Sequence, residues 1–304
     1  MEQEPFSFES FPVMDAVDHE ILMHRDAHFG GLFSVMLDYY RNEGKGVQPD
    51  FDLARIEWLR ELEMQMKQNL AVLFLASDEI QKVASARQAY EKLREIYEIS
   101  HPKSNHPRLI ADLILTESLE GEEEIAAIAA EKGAIVNALI DLLRQDELYD
   151  PLFPGYGLAP GLVVSALEKI GDKRAIISLF EAMGQGDFFA DEQILKALRT
   201  IGEPAKAFLL RVLHSKPLNE DNERAAIALV AFEQDPEVAE AALAMLQDAD
   251  VQADPCLPTY LIMACAGLKE PQQRNELLAL GKKLKASQFQ EDLKAVARLW
   301  TFDS

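Results

Sequence analysis

The amino-acid sequence predicts an all-α fold, and within it an α-solenoid of stacked helical hairpins. Apolar residues recur at helical spacing over most of the chain. This pattern is interrupted by turn positions at Gly171, Gly202 and Glu233, which follow one another at intervals of 31 residues. Two helices of about ten to twelve residues with two tight turns need about thirty residues, so the period fits a helical hairpin.

The clearest hairpin runs from Leu162 to Met183. Its first helix should end at Gly171, because glycine adopts a left-handed turn without steric strain. Asp172 then fits the N-cap of the second helix. Since each helix is apolar on one side only, the hairpin needs a neighbour of the same shape to cover that side. The residues predicted to face inward are Leu162, Val163, Ala166, Leu167 and Ile170, then Ala175, Ile176, Leu179, Phe180 and Met183.

Three further copies follow, and the last is looser than the others. The second copy buries Ile194, Leu195, Ala197, Leu198 and Ile201, then Ala205, Phe208, Leu209, Val212 and Leu213. The third buries Ala225, Ala226, Ala228, Leu229 and Phe232, then Val238, Ala241, Ala242, Met245 and Leu246. The fourth buries Tyr260, Leu261, Met263, Ala264 and Leu268, then Leu277, Leu278, Leu280 and Leu284.

The string ALEKIGDKRAIISLFEAM resembles the HEAT-like repeat in its short bacterial form, the type also seen in bilin lyases. The matching elements are Ile170, Gly171, Asp172, Arg174 and Ala175. The resemblance is good over residues 160–285 and extends more weakly back to about residue 125. Later copies depart from it, since Glu203-Pro204 replaces the Asp-Lys pair and Glu233 replaces the glycine.

This resemblance implies an α-solenoid and a protein-binding role, and it carries over no catalytic residue because the family shares no catalytic site. Iron-dependent hydroxylases of this fold use repeated His-Glu pairs, whereas this chain has one, His19-Glu20. DNA glycosylases of this fold need a basic groove, whereas this chain is acidic. The resemblance also leaves open a lyase or chromophore-handling role like that of relatives that act on bilins.

The charge of the chain argues against partners with many negative charges. The 304 residues carry a formal net charge of −22, whereas nucleic acids and anionic membranes select basic surfaces. We therefore expect no nucleic-acid or membrane partner and allow a basic protein partner.

Two cysteines, Cys256 and Cys265, cannot form a disulfide framework. No apolar run is long enough for a signal peptide or a membrane span, so we expect a cytoplasmic protein. Export by a route that needs no hydrophobic signal stays open as an alternative.

The region before the clear repeats is predicted to be helical as well. Residues 1–12 should form a flexible tail. Alternatively, its Phe6, Phe8 and Phe11 side chains dock on the body of the protein or on a partner. Residues 13–145 should form a helical region, and the sequence leaves open whether it contains degenerate repeats or a separate bundle. Within it, the wholly apolar stretch from Leu70 to Ala76 is expected to be central to the core.

Residues 146–160 form a loop rich in Pro, Gly and large apolar groups. Such a loop either packs across the joint between the two halves of the chain or presents aromatic side chains to a partner. We favour packing, and retain Phe153 and Tyr156 as candidate partner-binding residues. Residues 161–304 hold the repeats and end in a helix that covers the last one, with Leu293, Val296, Leu299 and Trp300 on its apolar stripe.

One constellation could carry chemistry. His24 and His28 share a helix face because they are four residues apart, and Glu20 lies one turn before. Two imidazoles and a carboxylate suit zinc or iron, although the full HExxH motif is missing. The alternative is a partly exposed helix edge beside Gly30. The HRD triplet at 24–26 lacks the other kinase motifs.

The sequence therefore favours a non-catalytic scaffold or adaptor that binds protein through the concave surface of a solenoid and needs no cofactor. A metal-dependent enzyme with ligands on the His24–His28 helix is the first alternative.

Overall fold

The computed structural model describes residues 13–42, 49–99, 104–116, 120–184, 188–281 and 287–302. Over these ranges the chain is helical with no β-strand, which confirms the predicted all-α class. The helices are α1 (Ala16–His28), α2 (Phe33–Arg41), α3 (Leu53–Met66), α4 (Leu70–Phe74), α5 (Ser77–Glu98), α6 (His106–Leu115), α7 (Glu122–Ala130), α8 (Val136–Leu143), α9 (Ala159–Ile170), α10 (Ile176–Ala182), α11 (Phe188–Ile201), α12 (Glu203–Leu213), α13 (Glu220–Val230), α14 (Pro236–Met245), α15 (Ala249–Ala253), α16 (Leu257–Ala264), α17 (Pro271–Gly281) and α18 (Ser287–Phe302).

The chain divides into two compact units. The first unit contains the described parts of Met1–Ile128 together with Gln145–Leu162, and the second contains Ala129–Arg144 and the described parts of Val163–Ser304. The first unit therefore includes α1 to α6 and the Pro/Gly-rich loop, while the second includes α8 and α10 to α18. The predicted flexible tail, residues 1–12, lies outside the described residues.

Helix α1 begins at a reciprocal pair of aspartates. Oδ1 of Asp15 accepts the backbone N–H of Asp18, and Oδ2 of Asp18 accepts the backbone N–H of Asp15, each at 3.0 Å. Arg55 on α3 donates to both carboxylates. The helix ends before Gly30 and Gly31, both of which have positive φ. These interactions define where α1 starts and join α3 to that end of the helix.

The core of the first unit is formed by α1 to α4. Its fully buried side chains are Ile21, Leu22, Met36, Leu37, Ile56, Leu59 and Leu70. Leu70 and Ala71 of α4 are buried as predicted, but Val72 is 75 % exposed and Leu73 is 40 % exposed. The expectation that the whole stretch from Leu70 is buried is therefore wrong. Helix α4 has five residues, so it turns only part of its circumference toward the core.

In the second unit, the turn predicted at Gly171 and Asp172 has the expected geometry. Gly171 has φ of +66°, and Oδ1 of Asp172 accepts the backbone N–H of Arg174 at 2.9 Å. Leu167 and Leu179, on the two sides of the turn, are fully buried. Helix and turn therefore form here for the reasons that the sequence indicates.

The other turns differ in their chemistry. Gly202 has φ of +76° and precedes α12, which carries a proline in its first turn. At the third turn the chain bends over residues 231–234, and Oδ1 of Asp235 caps α14 by accepting the backbone N–H of Glu237 at 2.9 Å. Asp235 therefore corresponds to Asp172 of the first hairpin, whereas Glu233 stands at the position of Gly171.

The predicted inward faces are mostly buried, with a few exceptions. Met263 is 38 % exposed and Leu278 is 39 % exposed, which makes those two predictions wrong. Leu284 lies outside the described residues. On α18, three of the four predicted residues are buried, but Leu299 is exposed. The exceptions lie at the chain's looser fourth copy and end, where fewer helices follow to cover an apolar side.

No described helix combines the length and the apolar character that crossing a membrane requires.

Candidate functional site

The strongest candidate site lies in the first unit, where two histidines meet two tyrosines. We call this set the histidine–tyrosine cluster: His24 and His28 of α1, Tyr90 of α5 and Tyr156 of the Pro/Gly-rich loop. The ring centroids of His24 and His28 are 5.2 Å apart, and His28 lies 5.3 Å from Tyr90 and 5.2 Å from Tyr156. The spacing of the histidines follows from the helix, whereas the tyrosines come from distant segments.

The loop reaches the cluster through a run of left-handed residues. Gly155, Tyr156 and Gly157 have φ of +87°, +49° and +77°. A Cβ at Gly155 would meet Cβ of Ala159 at 2.9 Å, and one at Gly157 would meet the carbonyl oxygen of Tyr149 at 3.1 Å. Glycine is therefore required on both sides. Left-handed backbone is strained for tyrosine, and such strain persists only where surrounding contacts hold it.

One such contact joins the two tyrosines. The Tyr90 hydroxyl donates a hydrogen bond of 2.5 Å to the Tyr156 hydroxyl. This bond joins the loop to α5 directly beside the ring of His28. The cluster is thus closed on one side by a hydroxyl pair and on the other by α1.

His28 is held in its neutral form. Burial lowers its pKa from 6.5 to about 4. A hydrogen bond with the backbone of Leu152 acts in the opposite direction but is the smaller effect. Nε2 has no hydrogen-bond partner among the described residues, so the bond to Leu152 is made by Nδ1. At neutral pH the ring then carries its proton on Nδ1 and presents a lone pair on Nε2, which is the form that binds a metal ion or accepts a proton.

His24 is buried more deeply than His28. Its ring contacts the edge of Phe51 with a centroid separation of 5.2 Å. The His24 ring thus has both His28 and Phe51 as aromatic neighbours.

The structure brings together two of the three predicted metal ligands. Glu20 is exposed, and in the described part of the chain no group of three or more His, Cys, Asp or Glu side chains is arranged to hold a metal ion. The neighbouring His19 instead binds Glu79 of α5, with Nδ1 2.9 Å from Oε1. The support for a metal site is therefore limited to the His24–His28 pair.

The two candidate partner-binding aromatics have different surroundings. Phe153 is buried with Leu152 against Val83 and Ala86 of α5. Tyr156 is partly buried and bonded to Tyr90. Both positions favour packing over an exposed aromatic contact.

Arg25 and Lys206 are among the buried charged side chains that sequence reasoning missed. Arg25 is completely buried and pairs with Asp26 at 2.7 Å and with Glu63 at 2.6 Å. In the second unit, buried Lys206 lies 2.8 Å from Asp235, 2.9 Å from Glu203 and 2.8 Å from Glu237, and these bonds raise its pKa. A charged residue on the apolar side of a helix is the signal that could have revealed both.

Comparison of the chain with protein-family models, with curated proteins and with solved structures gave no match.

Proposed function

We propose that this chain is a non-catalytic scaffold that binds protein through a short α-solenoid of HEAT-like hairpins in its second unit. The observation that carries the proposal is the order in which those helices pack. Helices α13, α16 and α18 pack in succession, and so do α12, α14 and α17. Successive first helices and successive second helices in contact are what a stack of hairpins produces.

The exposed side of the second helices offers a polar surface. Arg144 at the end of α8 lies 3.3 Å from Glu181 of α10, and Gln273 of α17 donates to Glu240 of α14 at 3.2 Å. Such contacts between exposed side chains contribute little to stability. Glu181 and Glu240 therefore place acidic side chains on this exposed surface, and the net charge of −22 favours a basic partner.

Native affinity purification with mass spectrometry would identify the partner, and two double variants would locate its site. Glu181→Lys with Glu240→Lys changes exposed residues on second helices. Glu192→Lys with Glu220→Lys makes the same charge change at exposed positions on first helices α11 and α13. We expect only the former to lose the partner by tenfold or more, with helicity unchanged. Recovery of the isolated chain alone, or equal loss in both, contradicts the proposal.

A second candidate function is divalent metal binding at the His24–His28 pair, and the state of His28 favours it. Metal-bound histidine commonly donates its second ring N–H to a backbone carbonyl, which orients the ring. His28 has this arrangement, with the backbone of Leu152 as partner and Nε2 open. Two imidazoles suit Cu²⁺ or Zn²⁺, with water completing the coordination.

Equilibrium dialysis against CuCl₂ or ZnCl₂ with elemental analysis tests this candidate. We expect about one metal ion per chain, because the two histidines form a single site. Metal binding should be abolished in His28→Ala. His214→Ala is the matched control, because His214 is exposed and belongs to the second unit. A substoichiometric metal content that does not change in His28→Ala rules out the site.

A further inference from the structure

Helices α4 and α5 border an apolar groove on the first unit. Its volume is about 170 Å³, and it is lined by Ala71, Val72, Leu75, Ile80, Val83 and Ala84. Leu75 and Val83 are buried and form the floor, whereas Val72 is 75 % exposed and Ile80 is 49 % exposed. The groove therefore combines a buried floor with apolar walls that are exposed to solvent.

The groove has the size of one aromatic ring. A cavity of about 150 Å³ lined by aliphatic side chains is large enough to bind benzene. Covering exposed walls of this kind is favourable by about 25 cal/mol for each Å² of apolar surface removed from water. An occupant that inserts a single phenyl side chain would satisfy both conditions.

The chain carries such an occupant close by. Residues 1–12, MEQEPFSFESFP, lie outside the described residues and contain Phe6, Phe8 and Phe11. The described chain starts at Val13, shortly before α1. His19 of α1 binds Glu79, the residue that precedes Ile80 in the groove wall. Twelve residues can extend over about 40 Å, so the segment has ample reach.

The charges also match. The segment carries three glutamates and no Lys or Arg. Arg87 and Asp26 also line the groove. The Asp26 carboxylate is paired with Arg25 at 2.7 Å, whereas Arg87 donates to the backbone carbonyl of Asp26, so Arg87 is the lining cation that a glutamate of the segment would meet.

We propose that the N-terminal segment folds back and inserts one of its phenylalanine rings into the α4–α5 groove. Covalent connection gives the segment a high effective concentration at the groove, on the order of millimolar for a short flexible linker. A foreign apolar peptide must then displace it. The segment thus protects an apolar surface that would otherwise be open to other chains.

Disulfide trapping in the full chain tests the proposal. In a Cys256→Ser background, which removes the exposed native thiol, Ser7→Cys keeps all three phenylalanines. It is combined with Ala84→Cys in the groove or with Glu95→Cys as the matched control. Glu95 is exposed on the same face of α5, about 16 Å further along the helix. We expect intramolecular cross-linking at least tenfold faster for Ala84→Cys. Rates within threefold of each other mean an undocked segment and overturn the proposal, and cross-linked dimers alone mean that a second copy fills the groove.

Hydrogen exchange provides a second readout without cysteines. Replacing Phe6, Phe8 and Phe11 by serine should raise the exchange of the amides of α4, and Val72→Glu with the segment intact should raise it likewise. The amides of α13, in the second unit, serve as the internal control. Unchanged exchange of α4 in the triple serine variant contradicts the docking.

Discussion

Nη1 of Arg25 lies 2.6 Å from Oε2 of Glu63, and that same carboxylate oxygen accepts the backbone N–H of Leu70 at 3.0 Å. The Arg25 guanidinium also donates to Asn69, the N-cap of α4, and stands 4.6 Å from the ring centroid of Phe33. A buried guanidinium is strongly unfavourable unless it is paired. One arginine therefore determines how α1, α2, α3 and α4 meet.

Replacing Arg25 by Met should destabilise the protein by about 3 kcal/mol, because it leaves the carboxylates of Asp26 and Glu63 without the buried guanidinium that pairs with them. Arg41→Met is the matched control, since Arg41 pairs with Glu57 at 2.6 Å in an exposed position. That variant should change stability by less than about 1 kcal/mol. Urea denaturation measures both, and equal effects would mean that the Arg25 network contributes no more than a surface ion pair.

His28 should make the stability of the first unit depend on pH. Its pKa is lowered by burial from 6.5 to about 4, so the folded state binds the proton less readily than the unfolded state. The stabilisation is therefore complete above about pH 6.5 and is lost as the pH falls toward 4, by at most about 3 kcal/mol. The measurement is the free energy of unfolding between pH 7 and 4, compared with His28→Gln. The difference between the two proteins should shrink on acidification, and parallel curves would refute the buried neutral state.

The repeat faces predict unequal effects for two leucines. Leu167→Ala removes a fully buried side chain of α9 and should cost about 2–5 kcal/mol, since it leaves a cavity. Leu278→Ala removes a side chain that is 39 % exposed, and should cost less than about 1 kcal/mol. Thermal or chemical denaturation distinguishes them. A small effect at Leu167 would mean that α9 faces its neighbours differently.

The turn at Gly171 should discriminate by residue type. A Cβ there meets no atom within 4 Å, but φ is +66°. The penalty for a substitution is therefore backbone strain, and not a steric clash with neighbours. Gly171→Val should be less stable than Gly171→Asn by about 1 kcal/mol, because β-branched residues tolerate this conformation poorly and asparagine tolerates it well. Equal melting temperatures would contradict the left-handed turn.

Several parts of this fold follow from short stretches of sequence. Gly171 and Asp172 produce a turn whose geometry depends on neighbouring backbone atoms, and Leu167 is buried because its helix has one apolar side. Helical periodicity and turn preference act over a few residues, so the sequence alone determined the helices and most of their inward faces in the second unit.

Other features needed the tertiary structure, because they depend on residues far apart in the chain. Val72 and Leu73 read as core residues but are exposed, since the short α4 has only one covered side. Gly267 shows no turn signal, yet a Cβ there would collide with the backbone carbonyl oxygen of Glu233.

The candidate site divides in the same way. The shared face of His24 and His28 follows from helical spacing, and was visible in the sequence. The approach of Tyr90 and Tyr156 to His28, and with it the neutral ring and its open Nε2, was not. Those relationships arise when a loop held by two glycines packs on α5, and packing between distant segments is decided by the whole unit and not by local preference.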